Sequence, residues 1–262
     1  MNTSLPALPD VAGAQLVAFV LVAARVGGIF VFAPVFSSRL VPPRVKALVV
    51  GAIALALTPL ATKGHAVPAD AIDFSSLLVK ELAVGLGFAL AIGILAAAVQ
   101  AGAALLDTLI GFSLGALVDP ITNVQSSILA QVYSMVAAVV FILSGGDHLV
   151  VMALARSYDL IPIDAVPSLP ALASLVTDGL ASIAVIGLEI SAPVVLALLV
   201  TDVAFGVVSR VVPQMNVYFV GLPAKILVGL AVAGASLPFV AIQFENDLQT
   251  AVSRALQALA VG

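Results

Sequence analysis

The sequence predicts an all-α, polytopic membrane protein of kinked helices. Two compositional facts and one pattern predict it. Apolar residues make up 62% of the 262-residue chain and charged residues 9%, against roughly 25% charge in an ordinary soluble domain. Mean hydropathy is +1.24. The apolar residues gather into six runs, each longer than an ordinary strand, so they read as helices.

The same arithmetic excludes several functions. Ten Lys/Arg and 14 Asp/Glu cannot cover a water-facing surface, so a soluble enzyme or a disordered chain does not fit. A net charge of −4 and a pI near 4.9 leave no basic footprint, and no nucleic-acid partner is expected. The chain has no cysteine, which removes disulfides, thiolate metal sites and cysteine nucleophiles. Met1–Asp10 contain no Lys or Arg, so the first apolar segment is expected to be retained and not cleaved as a signal peptide. No linker is rich enough to separate domains, and 1–262 is expected to be one domain.

The runs are Val11–Phe36, Ala47–Ala61, Leu82–Leu106, Ile128–Leu143, Leu180–Val208 and Val217–Phe244. Pro42-Pro43, Pro59, Pro68, Pro162, Pro167, Pro170 and Pro213 mark the breaks between them. Pro34, Pro193, Pro223 and Pro238 fall inside runs and are expected to kink or split them. Arg39, Arg44 and Lys46 form the basic cluster that puts the loop after the first run on the cytoplasmic side. The segment Asp147–Asp178 has four Asp and one Arg, as an outer segment would. The loop holding Asp107 and Asp119 has no Lys or Arg and fits simple alternation poorly.

Along the third run, Gly85, Ala89, Gly93, Ala97 and Ala101 recur every four residues. A stripe of small side chains lets another backbone approach closely. Charges embedded in the apolar runs are Arg25, Lys80, Glu81, Glu189, Asp202, Arg210 and Lys225. Each costs about 2.5–3.5 kcal/mol at a bilayer centre, so each should face protein or water. Asp202, Gly206 and Arg210 stand at i, i+4 and i+8 on one helix face. Two readings stay open: interhelical ion pairs, such as Arg25 or Lys225 with Glu189 or Asp202, or an ion path. A pair buried in this way would make loss of one partner cost several kcal/mol.

Catalytic motifs fail their context tests. Gly111-Phe112-Ser113-Leu114-Gly115 matches G-x-S-x-G, but it follows a long apolar helix instead of a strand, and His148 is the only histidine downstream. Gly145-Gly146-Asp147-His148 reads as a helix start with Asp147 as its cap. His65 and His148 lack H-E-x-x-H spacing. No catalytic, metal or cofactor site is expected, and no enzyme.

The most informative stretch runs from Leu198 to Lys225. A helix bearing Asp202 and Arg210 breaks at Pro213, passes polar Gln214 and Asn216, and restarts near Gly221 and Pro223. Polar side chains at such a break can satisfy freed backbone groups.

This stretch closely resembles the flagellar biosynthetic protein FliR family and its relatives in virulence type III secretion. Their pattern is D-x-x-x-G-x-x-x-R, then P-Q-x-N, then G-x-P. Asp202, Gly206, Arg210, Pro213, Gln214, Asn216, Gly221 and Pro223 fit it, with Lys225 just beyond. Earlier blocks resemble the family in the same order: Arg25, Gly28, Pro34, Pro42 and Lys46; then Lys80-Glu81 with Gly85 and Gly87; then Gly111–Leu114 with Val118-Asp119-Pro120; then Gly146 and His148. The resemblance covers almost the whole chain. The Pro-Gln-Met-Asn-Val-Tyr stretch looks more flagellar than virulence-type.

The resemblance implies a subunit of the flagellar type III export gate, its helices folded as kinked helical hairpins that form part of a helical export-gate assembly. It would form a channel with FliP- and FliQ-like partners, work with FlhB- and FlhA-like proteins, and pass unfolded flagellar subunits as transient cargo. It would sit among membrane lipid as a multi-pass protein of the bacterial inner membrane, in the flagellar basal body. Much of the assembled gate would rise above the ordinary membrane plane. The family's plug falls on Gly111, Phe112, Ser113, Leu114, Gly115, Leu117, Val118, Asp119 and Pro120. A fusion to an FlhB-like partner is not expected. A virulence export gate is the nearest alternative. A small secondary transporter using Glu189, Asp202 and Arg210 is a further one, although no inverted repeat with paired broken helices is evident.

Overall fold

The computed structural model describes residues 8–33, 36, 41–64, 71–112, 127–164, 169–214 and 216–260. Among the described residues the chain forms seven helices and no strand. They are α1 (Leu8–Phe32), α2 (Pro43–Ala61), α3 (Ala71–Ile110), α4 (Ile128–Leu143), α5 (Gly146–Leu160), α6 (Leu169–Val211) and α7 (Val217–Ala260). Five are long and apolar enough to cross a membrane, and a sixth span results if α4 and α5 count together. The chain is an all-α, multi-pass membrane protein.

Local chemistry sets the helix ends. Pro43 opens α2, where a missing N–H costs nothing. Ser127 caps α4, its hydroxyl accepting from the Ala130 N–H at 3.0 Å. Gly145, at φ +70°, turns the chain from α4 into α5. Asp147, expected as the cap of α5, instead lies in its first turn, and Gly145 holds the cap position. Pro213 ends α6, because the residue before a proline is pushed out of helical geometry.

Three helices outrun the apolar runs that announced them. α3, α6 and α7 have 40, 43 and 44 residues. The apolar run gives out at Phe244, yet α7 continues with Leu248, Val252 and Ala255 buried on one face. The run in α3 began at Leu82 because Lys80 and Glu81 interrupt it, but both are buried and paired within the helix. Of the prolines inside runs, Pro34 lies outside the described residues and the others do not split their helices: α6 runs through Pro193 and α7 through Pro223 and Pro238, while Pro59, expected at a break, lies inside α2. In an apolar setting, opening the ladder would free groups that no water could satisfy, so one missing N–H is the smaller loss.

α5 was not among the apolar runs. Its signal is amphipathic: Val150, Ala153, Leu154, Ser157 and Tyr158 are buried at helical spacing, with Asp147 and Asp159 beside them in the sequence.

The chain divides into two compact units, one of residues 1–93, 145–179 and 249–262, the other of 94–144 and 180–248. In the first, α1 packs on α2 and α2 on α5. α1 meets α3 where glycine faces glycine: a Cβ on Gly28 would lie 2.7 Å from the Gly85 carbonyl carbon, and one on Gly85 would strike the Arg25 carbonyl oxygen. In the second unit α3 meets α6 the same way, a Cβ on Gly102 striking the carbonyl oxygen of Gly187.

The five-residue stripe on α3 is therefore only partly right. Gly85 and Ala89 are buried, whereas Ala97 and Ala101 are exposed. A period of four drifts about 40° per step against 3.6 residues per turn, and roughly 160° after four steps. Ala101 thus stands nearly opposite Gly85, and Gly102 makes the second close approach instead.

Candidate functional site

Arg25, Lys80 and Glu81 of the first unit converge on one buried cluster. Arg25 of α1 is fully buried, as is Glu81 of α3. The guanidinium Nε donates to Glu81 Oε2, and Nη2 donates to Glu81 Oε1 at 2.9 Å. Nη1 donates to Ser157 Oγ at 3.0 Å, and Nη2 also reaches the Ile161 carbonyl at 3.0 Å. The Tyr158 ring lies beneath the guanidinium, 3.9 Å from its carbon. Lys80 donates to the carbonyls of Pro162 at 3.1 Å and Ile163 at 2.8 Å, and sits 2.7 Å from Glu81 Oε1.

Two cations share one carboxylate, and the Ser157 hydroxyl and main-chain carbonyls supply the remaining acceptors. Every charge has partners, which is the condition for burying it. The cluster ties α1, α3 and the end of α5 with the turn after it. It has the chemistry of a structural fastening.

Sequence reasoning named Arg25, Lys80 and Glu81 but paired Arg25 with Glu189 or Asp202. Arg25 instead binds Glu81, and Glu189 is exposed, accepting from Gln243 at 3.4 Å. Ser157 and Tyr158 were missed. The burial pattern of α5 is the signal that would have found them. Of the remaining residues near the N-terminus, Pro34 lies outside the described residues. The Pro42 carbonyl accepts from Val45 at 3.0 Å and Lys46 at 3.2 Å, starting α2.

The second unit holds the α6–α7 hairpin. Asp202, Gly206 and Arg210 do share a face of α6, and that face is exposed. Lys225 of α7 pairs with Asp202 at 2.8 Å, one of the pairings the sequence left open, but the Asp202 side chain is 53% exposed. The expected cost of several kcal/mol for losing one partner applies to a buried pair, not to this one. Arg210 lies in the last turn of α6 and makes no ion pair among the described residues. Gln214 is exposed. Asn216 accepts from the Phe219 N–H through its side chain at 3.4 Å and its carbonyl at 3.1 Å, so it caps α7. α7 therefore restarts at Val217, earlier than Gly221 and Pro223. Gly221 faces the Phe205 ring, 3.6 Å from where its Cβ would stand.

At the expected plug, only the entry is described. Gly111 has φ +102°, and the N–H groups of Gly111 and Phe112 both reach the Asp107 carbonyl, at 3.2 and 3.0 Å. Ser113, Leu114, Gly115, Leu117, Val118, Asp119 and Pro120 lie outside the described residues.

Long apolar helices, close glycine crossings and buried charges used up in fastening define a membrane-embedded, helix-packing protein. The model for bacterial export proteins, family 1, matches residues 16–251. The flagellar biosynthetic protein FliR of Bacillus subtilis is 33% identical over 249 residues, covering 92% of this chain and 95% of that protein. FliR of Escherichia coli is 26% identical over 217 residues, 83% of each chain. The surface presentation of antigens protein SpaR of Salmonella typhimurium is 31% identical over 228 residues, 86% of this chain and 84% of its own. The chain belongs to this bacterial export family, in its FliR branch, and is a subunit of a flagellar-type, type III export gate.

Proposed function

We propose that this chain works in the bacterial inner membrane, at the flagellar basal body, where it forms an export channel with FliP- and FliQ-like subunits alongside FlhB- and FlhA-like proteins. Unfolded flagellar subunits are the transient cargo. The observation that carries the proposal is the family match across residues 16–251 together with a flagellar relative aligned over 92% of the chain. The chain supplies a conduit and performs no chemical step.

Helix length supports an assembly that is not confined to the bilayer. At 1.5 Å per residue, α3, α6 and α7 have contours of about 60–66 Å. The hydrocarbon core is about 30 Å thick. Fitting such a helix wholly inside it would need a tilt near 60°, well beyond the usual range. The exposed apolar side chains of α6 and α7, among them Val203, Val207, Val211, Phe219 and Leu227, need cover from other subunits or from lipid.

Within the gate, the segment Gly111–Pro120 acts as the barrier of the closed state. Glycine at 111, already at positive φ, gives the entry backbone freedom. The apolar side chains that follow can close a pore by excluding water.

Deletion of the gene tests the assignment: secretion of flagellar subunits and filament assembly stop, and the wild-type gene restores both. Normal secretion in a clean deletion refutes it. Co-purification of FliP- and FliQ-like subunits tests the partners. Removing Leu114 to Val118 tests the barrier: the gate assembles but leaks small molecules, whereas a packing turn would give no assembly and no leak. The SpaR relative supports a second reading, a virulence export gate, which predicts loss of virulence cargo with filaments intact.

A further inference from the structure

Asp107 is a buried carboxylate, 5% exposed, that none of the roles above uses. Its two polar ends hold different parts of the chain. Its main-chain carbonyl accepts from Gly111 and Phe112 at 3.2 and 3.0 Å, closing the end of α3. Its carboxylate accepts from the Leu129 N–H, 3.3 Å to one oxygen and 3.2 Å to the other, and from the Ser127 hydroxyl. Ser127 Oγ in turn accepts from the Ala130 N–H at 3.0 Å. One residue therefore bonds to Phe112, where chain 113–126 departs, and to Ser127, where it returns.

The chemistry favours this arrangement. The first N–H groups of a helix have no partner within it, and α4 offers that of Leu129. The positive end of α4 also favours a carboxylate there. An apolar residue at 107 would leave the Leu129 N–H and the Ser127 hydroxyl without their acceptor.

We infer that Asp107 is a positioning residue of the export gate: it clasps both ends of chain 113–126 and fixes their separation. Its effect on transport rests on the barrier reading above. The clasp itself does not.

The test separates the two. The chain has no cysteine, so Phe112→Cys with Ile128→Cys places a spin-label pair without background. Ile128 is 60% exposed and accepts a label. The distance distribution is measured in the full chain, purified with its export-apparatus partners, and ion leak is measured in cells expressing the same proteins. Asp107→Ala should broaden the distribution by roughly twofold, since two donors lose a buried acceptor, and the gate should leak. Asp107→Asn keeps an acceptor oxygen for both donors and should restore a near-native width and a tight gate. Ser127→Ala, which removes one of the two side-chain bonds, should fall between them.

Broadening without a leak upholds the clasp and removes the barrier reading. A native width in Asp107→Ala at normal abundance overturns the inference. If Asp107→Ala does not accumulate, a native width in Ser127→Ala overturns it instead. Equal loss in Asp107→Asn and Asp107→Ala also overturns it, because the acceptor would then not be what matters.

Discussion

Gly85 lies so close to Arg25 that a Cβ built on it would strike the Arg25 carbonyl oxygen, while the Arg25 side chain reaches Glu81, one turn earlier on the same helix. Close backbone approach and the buried ion pair are two parts of one crossing. The guanidinium meets the carboxylate because no side chain at 85 or 28 holds α1 and α3 apart.

Gly85→Ala and Gly28→Ala should therefore lower the abundance of the chain itself, since the atoms in the way are backbone and cannot rotate aside. Gly206→Ala is the control: its Cβ would meet nothing within 4 Å. It should leave the abundance of the chain unchanged, with any effect confined to assembly with partners. Quantitative immunoblots of membrane fractions check this, and equal abundance of all three variants would refute it.

Glu81→Gln should be more damaging than its small change in shape implies. It strands Arg25 and Lys80, both buried, and breaking a buried ion pair costs about 3–5 kcal/mol. Replacing both Arg25 and Glu81 by apolar residues should recover part of the loss, leaving Lys80 to the carbonyls of Pro162 and Ile163. Thermal melting of the purified protein in detergent reads the difference. A Glu81→Gln protein as stable as wild type would sink the expectation.

Asp202→Ala should cost little fold stability, about 0–1 kcal/mol, because in the chain alone the Asp202 side chain is half exposed and its pair with Lys225 is screened by solvent. Melting in detergent should shift far less than for Glu81→Gln. A comparable fall would show that the pair is buried in the purified protein. If Asp202→Ala assembles fully yet loses proton-driven export, a relay role replaces the structural one.

Ser113→Ala should leave export near wild type. Its G-x-S-x-G motif follows the long α3 helix, not the strand that precedes a nucleophile elbow. Secretion assays check it. Loss of export together with covalent labelling of Ser113 by a serine-directed probe would overturn it.

Some features of this protein were legible because they are one-dimensional. Composition decides that a chain 62% apolar is built for a membrane, and run length decides helix over strand. α4 was found with its boundaries, since an apolar run there sits between a serine cap and a glycine turn. The Asp202–Lys225 pair was also within reach, being the two charges on either side of one hairpin.

Pairing across distant helices was not legible. Arg25 had several carboxylates to choose from, and only the crossing at Gly28 and Gly85 selects Glu81. The same limit hid Asp107: a lone aspartate at the end of an apolar run carries no sign that Ser127 and Leu129 will return to it. Hydropathy records how much each residue avoids water. Which buried charge meets which depends on where helices approach closely, and that is fixed by glycine contacts between segments far apart in the chain.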